Sequence, residues 1–124
     1  MNEVTRTTDA SRDLTVLKPI GLLTVNLAIE AIDGWYADSP TANLIWDLTD
    51  ADLTAIDADK IKRILRHAKT LAHHREGGRS AFVIAGDLGF GLSRMYGTLA
   101  EAVDHPIPHR VFRTMDEALQ WIES

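Results

Sequence analysis

The chain contains no cysteine. That excludes disulfide cross-links, a thiolate nucleophile and any cysteine-based zinc site. It suits a reducing compartment, so a cytoplasmic location is expected. No apolar run approaches the roughly 20 residues that cross a bilayer, and no membrane insertion is expected. Residues 1–6 (Met-Asn-Glu-Val-Thr-Arg) hold no basic segment leading into an apolar stretch, so no secretory signal is expected there. Positive charge is in deficit: 13 Lys and Arg stand against 18 Asp and Glu, a net −5. Such a balance argues against nonspecific nucleic-acid binding as the main task.

The 124 residues, 45% apolar and 25% charged, suffice for one domain spanning 1–124 with a core of its own. Charge is unevenly spread. Residues 60–79 carry Lys60, Lys62, Arg63, Arg66, Lys69, Arg75 and Arg79 against the single Glu76. The remainder of the chain is correspondingly more acidic.

Residues 3–8 alternate and are rich in β-branched types, as in a short edge strand. Leu14, Val16 and Ile20 suggest a second strand, which Pro19 places at an edge or beside a bulge. Thr24 is placed to cap a helix over 25–37, closed by Asp38-Ser39-Pro40. Residues 43–48 form a short apolar run typical of a strand covered on both faces. Thr54 and Asp57 read as a capping box. The helix after them, with Ile61, Ile64, Leu65, Ala68, Leu71 and Ala72 at spacings of three and four, is the most regular in the chain. Gly77-Gly78 end it. Residues 80–85 form a second buried strand. Gly86-Asp87-Leu88-Gly89-Phe90-Gly91 then reads as a turn before a helix from about Leu92 to Val103, with Met95, Leu99 and Ala102 on one apolar face. Val111 and Phe112 belong to a last strand, and Thr114 to Glu117 cap a final helix. Alternating strands and helices imply α/β architecture: a mixed, largely parallel sheet of four to five strands with helices packed on its faces.

With these elements in place the chain resembles the SpoIIAA-like family, whose fold is shared by STAS domains and is similar to the lipid-binding CRAL-TRIO fold. The likeness covers roughly residues 10–122. It rests on Leu44-Ile45-Trp46-Asp47-Leu48 before an acidic loop and helix, on Ala81-Phe82-Val83-Ile84, on residues 89–96 (Gly-Phe-Gly-Leu-Ser-Arg-Met-Tyr) and on the ending from Val111 to Ile122. STAS-type anti-sigma-factor antagonists carry an Asp-Ser pair at the start of the helix after the central strand, and a kinase phosphorylates that serine. The matching stretch is Ile56-Asp57-Ala58-Asp59-Lys60. Asp57 matches the acidic residue, while Ala58 has no hydroxyl to phosphorylate.

Other groupings have two readings each. The glycine turn could expose backbone N–H groups to an anion, with Arg94 one turn on. Its G-x-x-G-x-G spacing is neither the dinucleotide fingerprint nor a P-loop, and the plainer reading is a tight strand-to-helix turn. Asp47, Asp50, Asp52, Asp57 and Asp59 are oxygen-rich but lack the ligand order of a calcium loop; the plainer reading is a solvated acidic loop. His67 and His74 share a helix face without further metal ligands. The basic helix face holds no aromatic residue for base stacking, and its plainer reading is a solvated surface. Trp35 and Trp121 read as helix-to-sheet packing.

No complete catalytic or metal-ligand set is visible, and no cofactor is expected. The resemblance, the charge polarity and the missing catalytic sets together point to a non-enzymatic regulatory module that binds a protein partner or forms a homodimer, with Asp47, Thr54 and Asp57 of the acidic helix entrance and Gly86, Gly89, Gly91 and Arg94 of the glycine turn as its expected surface. The alternative is a carrier of a small apolar ligand, held near Trp35, Phe90 and Tyr96.

Overall fold

The computed structural model describes residues 2–38, 40–102 and 104–124, with Leu88 described by its backbone alone. Ser39 and Val103, expected at helix ends, lie outside the described residues. The elements are β1 (Glu3–Asp9), β2 (Leu14–Leu22), α1 (Val25–Ala37), β3 (Asn43–Asp47), β4 (Ala51–Asp52), α2 (Ala58–Leu71), β5 (Ser80–Val83), α3 (Asp87–Ala102), β6 (His109–Phe112) and α4 (Met115–Glu123). Short 3-10 turns occupy Ala10–Arg12 and Ala72–Arg75.

The sheet runs β1-β2-β3-β5-β6. β1 lies antiparallel at one edge, every other pairing is parallel, and β4 extends β2 beyond the end of β3. The expectation of a mixed, largely parallel α/β sheet holds, with six strands instead of four or five. The additional one, β4, falls in what reads as an acidic loop. β2 is interior, not an edge. Pro19 pairs with Val4 of β1 and lies between the last residue facing β3, Leu17, and the first facing β4, Gly21. Its missing donor thus falls where no parallel partner is registered.

Successive side chains point to opposite faces, so the apolar runs of β3 and β5 feed two cores. Leu44, Trp46 and Phe82 meet α1, α2 and α3 through Ile32, Trp35, Ile61, Leu65 and Tyr96. Ile45, Ala81 and Val83 meet Ala118 and Ile122 of α4 on the other face. Trp35 and Trp121 pack between helix and sheet, as their sequence context suggests.

Helix starts follow local chemistry. Thr24 Oγ1 accepts from Leu27 N (3.1 Å) and Thr114 Oγ1 from Glu117 N (3.2 Å). α2 departs from expectation: its cap is Asp57, whose Oδ1 accepts from Lys60 N (2.9 Å), and the helix begins at Ala58. Thr54 is not a cap because its hydroxyl and N–H are both taken by Asp52 Oδ1, at 2.7 and 3.0 Å. The inward face of α3 is also shifted. Gly89, Ser93, Tyr96 and Ala100 are buried, whereas Met95 and Ala102 are exposed. Small residues let α3 sit close to the sheet, so the large apolar ones do not mark its buried stripe.

Candidate functional site

β3 and β5 are adjacent and parallel, with Trp46 opposite Phe82 and Asp47 opposite Val83. Both strands therefore leave the sheet at the same end. Asp47 ends β3. Its Oδ1 accepts from Thr49 N (3.2 Å) and Oγ1 (2.7 Å), while Lys18 Nζ stands 3.9 Å from its Oδ2 and 3.1 Å from Asp50 Oδ2. The hydrogen bond to Asp50, then the two carboxylate charges, raises the Lys18 pKa. A second aspartate-threonine pair, Asp52 with Thr54, follows, and these hydrogen bonds lower the Asp52 pKa. The acidic loop is thus a folded connection, pinned to β2 through β4. It delivers Asp57 and the exposed Ala58 and Asp59 to the start of α2.

The glycine segment is not a turn. α3 begins at Asp87, and Phe90 N donates to Gly86 O (3.0 Å), so Gly89 and Gly91 are helical and only Gly86 precedes the helix. No separate glycine cradle forms. Asp87 already places a carboxylate in the first turn, where the macrodipole favours negative charge, and it lies 3.4 Å from Arg113. Gly89 matters for another reason: a Cβ there would lie 2.8 Å from Ile84 Cγ2 and 3.1 Å from Leu53 Cδ1. The glycine lets α3 press against the acidic loop. Arg94 is exposed in a shallow groove with Phe90, Thr98 and Arg110, on the side of α3 that faces β6. Of the seven expected site residues, Asp47, Thr54 and Asp57 lie along one loop and Gly89 is packed against it. Arg94 faces elsewhere.

Between that loop, α2 and α3 lies an apolar cavity of about 70 Å³, bordered by Trp46, Leu53, Ile56, Ile64, Phe82, Leu92 and Tyr96. Of the aromatic residues expected around a ligand, only Tyr96 lines it. Phe90 lies under Arg113, whose guanidinium carbon is 4.1 Å from its ring centre, and Trp35 packs deeper, against Arg75. Leu53 and Ile56 were the sequence clue, two apolar residues inside an acidic loop.

The basic segment divides. Lys62, Arg63 and Arg66 border an outer groove beside Leu99. Arg75, expected to be solvated, is only 4% exposed. Past the 3-10 turn the chain reverses at Gly77 and Gly78, and a Cβ on Gly78 would strike the Ala42 carbonyl. That close approach puts Arg75 Nε 3.1 Å from Ala42 O and Nη2 3.0 Å from Arg79 O, with the guanidinium 4.9 Å above the Trp35 ring. Arg79 donates to Trp121 O. His67 joins α2 to α1 through Asp33 (2.5 Å), and the His73 and His74 rings lie 3.9 Å apart, tilted by 39°. Among the described residues no group of three or more metal-ligating side chains converges, and no helix is long and apolar enough to cross a membrane.

No protein-family model matches the chain, and no curated protein matches it by sequence. Solved structures do match its fold. An anti-sigma factor antagonist from Mycobacterium paratuberculosis superposes with a TM-score of 0.64 at 19% identity, covering 100% of this chain and 96% of that one. An uncharacterized DUF3478-family protein with a SpoIIAA-like fold from Shewanella loihica PV-4 gives 0.60 at 19% identity, over 98% and 95%. The anti-sigma factor antagonist SpoIIAA in its unphosphorylated form gives 0.52 at 14% identity, over 100% and 99%. The fold is therefore SpoIIAA-like, a mixed α/β sheet with four helices, as the sequence resemblance implies.

Proposed function

We propose that the chain is a non-enzymatic regulatory module of STAS type, working in the cytoplasm, that binds a protein partner or a second copy of itself at the rim where α2 and α3 begin. The observation that carries this reading is the exposed acidic start of α2, at Asp57 and Asp59, beside an apolar cavity bordered by Leu53 and Ile56. Charge around an apolar recess is the composition of a docking site: the recess supplies affinity and the rim supplies orientation. Two of the similar structures are of anti-sigma factor antagonists, which supports a regulatory role. Ala58 is the first residue of α2 and has no hydroxyl, so binding here is not switched by phosphorylation at that residue. Immobilised protein is expected to retain a specific partner from the native host, or light scattering to report a dimer. Asp59→Lys should weaken either association about tenfold, as for a charge pair at an interface. A strictly monomeric protein that retains nothing would overturn the reading.

The cavity favours a second reading, a carrier of a small apolar molecule. At about 70 Å³ it is smaller than the roughly 150 Å³ that accommodates benzene, so a ligand must part α2 from α3. Native mass spectrometry of freshly purified protein decides the matter: a bound mass favours the carrier, and a clean apo mass removes it.

A further inference from the structure

Behind the apolar cavity, separated from it by Trp46, Phe82 and Tyr96, lies a smaller one of about 20 Å³ with a polar side. Arg75, Trp35, Ser80, His105 and His109 form that side, and Ile32, Leu44 and Ala68 also line the space. Its composition is unbalanced. Arg75 has only donors, and among the described residues the ionisable groups that act on it are the phenols of Tyr36, which also shares a hydrogen bond with it, and Tyr96; burial raises both phenol pKa values, so they are neutral, and no carboxylate joins them. Four further polar atoms around the cavity are buried and without a hydrogen-bond partner: Trp35 Nε1, Ser80 Oγ, His105 Nε2 and His109 Nδ1.

Two of these four are donors by necessity. An indole nitrogen can only donate. His105 Nδ1 accepts from Ile107 N (3.1 Å), which leaves the proton of the neutral ring on Nε2. The ring stays neutral because burial, then the charges of Arg75 and Lys69, lowers its pKa. The side chains are close together. Arg75 lies 4.9 Å from the Trp35 ring centre, the His105 and His109 ring centres are 4.8 Å apart, and Ser80 is paired with His109 across β5 and β6.

A buried cation without a counter-charge costs several kcal/mol, and each orphaned donor adds to that cost. Water would satisfy the donors but leave the charge of Arg75 uncompensated. We propose that this cavity binds one small monovalent anion of halide size, held by the Arg75 guanidinium and by N–H or O–H groups of Trp35, His105 and Ser80. The volume exceeds the roughly 10–15 Å³ that one water-sized guest requires, and it is too small for the five atoms of sulfate or phosphate. The bound ion ties together α1, the 3-10 turn, β5 and the segment leading to β6, independently of whatever occupies the rim.

The test uses the intact protein in sodium chloride, bromide and gluconate at matched ionic strength. Chloride and bromide should raise the melting temperature over gluconate, by about 4 °C at ten times the dissociation constant. Crystals grown in bromide should show an anomalous peak between Arg75, Trp35 and His105. Ser80→Ala, which removes one donor with almost no change of volume, should reduce the halide-specific shift at least twofold while melting normally in gluconate. Arg75 also braces two loops, so its removal confounds binding with folding; Trp35→Phe is the better second variant and should likewise reduce the shift. Equal melting temperatures in the three salts, ordinary water density in the cavity, or bromide confined to exposed arginines as an adventitious ion only, would each overturn the proposal.

Discussion

The two cavities share a wall and differ in everything else. The one at the rim is lined almost wholly by hydrocarbon, while the one beneath Trp35 adds to its apolar walls a buried cation and four unpartnered polar atoms. An apolar void loses only contacts when it stands empty, whereas a polar one leaves groups desolvated and unpaired. The rim can therefore wait for an occupant, while the inner cavity needs one for the fold to be at its most stable. The wall between them also carries most of the local core, because Trp46 and Phe82 meet across β3 and β5 and Tyr96 closes on Phe82 at 5.2 Å.

Removing the wall is the strongest way to break the distinction. Trp46, 8% exposed, borders both cavities. Trp46→Ala should merge them and cost about 3–5 kcal/mol in chemical denaturation. A loss below 1 kcal/mol would mean that the two spaces are not separated by a packed core.

Mild acid, between pH 7 and pH 5, tests the inner cavity, because the lowered carboxylates of Asp9 and Asp52 stay ionised there. Burial first, then the charges of His105 and Arg75, lowers the His109 pKa to about 3 from the ordinary 6.5. Between these values the unfolded chain holds a proton that the folded one refuses, so stability rises with pH. It is complete above pH 6.5 and declines as pH falls towards 3, by up to about 1.4 kcal/mol for each unit. Unfolding free energies at pH 7 and pH 5 should differ by about 2 kcal/mol, and His109→Gln should remove most of that difference. The apolar cavity has no titrating wall in this range, so Ala28 or Leu92 variants should retain the full slope.

The helix start beside the rim is a smaller matter, and it shows how far sequence alone reaches. The two buried strands were legible because 43–48 and 80–85 are nearly continuous apolar runs, and α2 because its apolar spacing is regular. The acidic loop misled in two ways. Thr54 has the right neighbours for a cap, but Asp52 binds it first, and β4 arises from Ala51 and Asp52 only because β2 runs on past β3. The rim was visible as acidic residues, not as a recess, since Leu92 and Tyr96 reach it from a distant helix. The inner cavity was invisible. Its residues come from α1, the 3-10 turn, β5 and the segment around β6, and Arg75 sits in a basic run that looks solvated until the Gly77-Gly78 reversal turns it inward. Asp57→Ala should cost about 1 kcal/mol and Thr54→Ala less than half of that, measured as shifts in the denaturation midpoint. The reverse order would restore Thr54 as the cap.

Filling the dry cavity is the gentlest intervention and the one that most sharpens the contrast. Ala28 of α1, 2% exposed, borders the rim cavity and not the inner one. Ala28→Val adds two methyl groups to a space of about 70 Å³, at some cost in helix propensity. The balance should be a gain of about 0.5 kcal/mol, seen as a slightly higher midpoint with an unchanged pH profile and an unchanged response to halide. The same variant should reduce any uptake of small apolar molecules, because it removes the volume they would use. A protein stabilised by Ala28→Val that still retains its partner would assign the recess to packing and leave recognition to the charged rim around Asp57 and Asp59. One that loses its partner while gaining stability would place the recess itself in the interface.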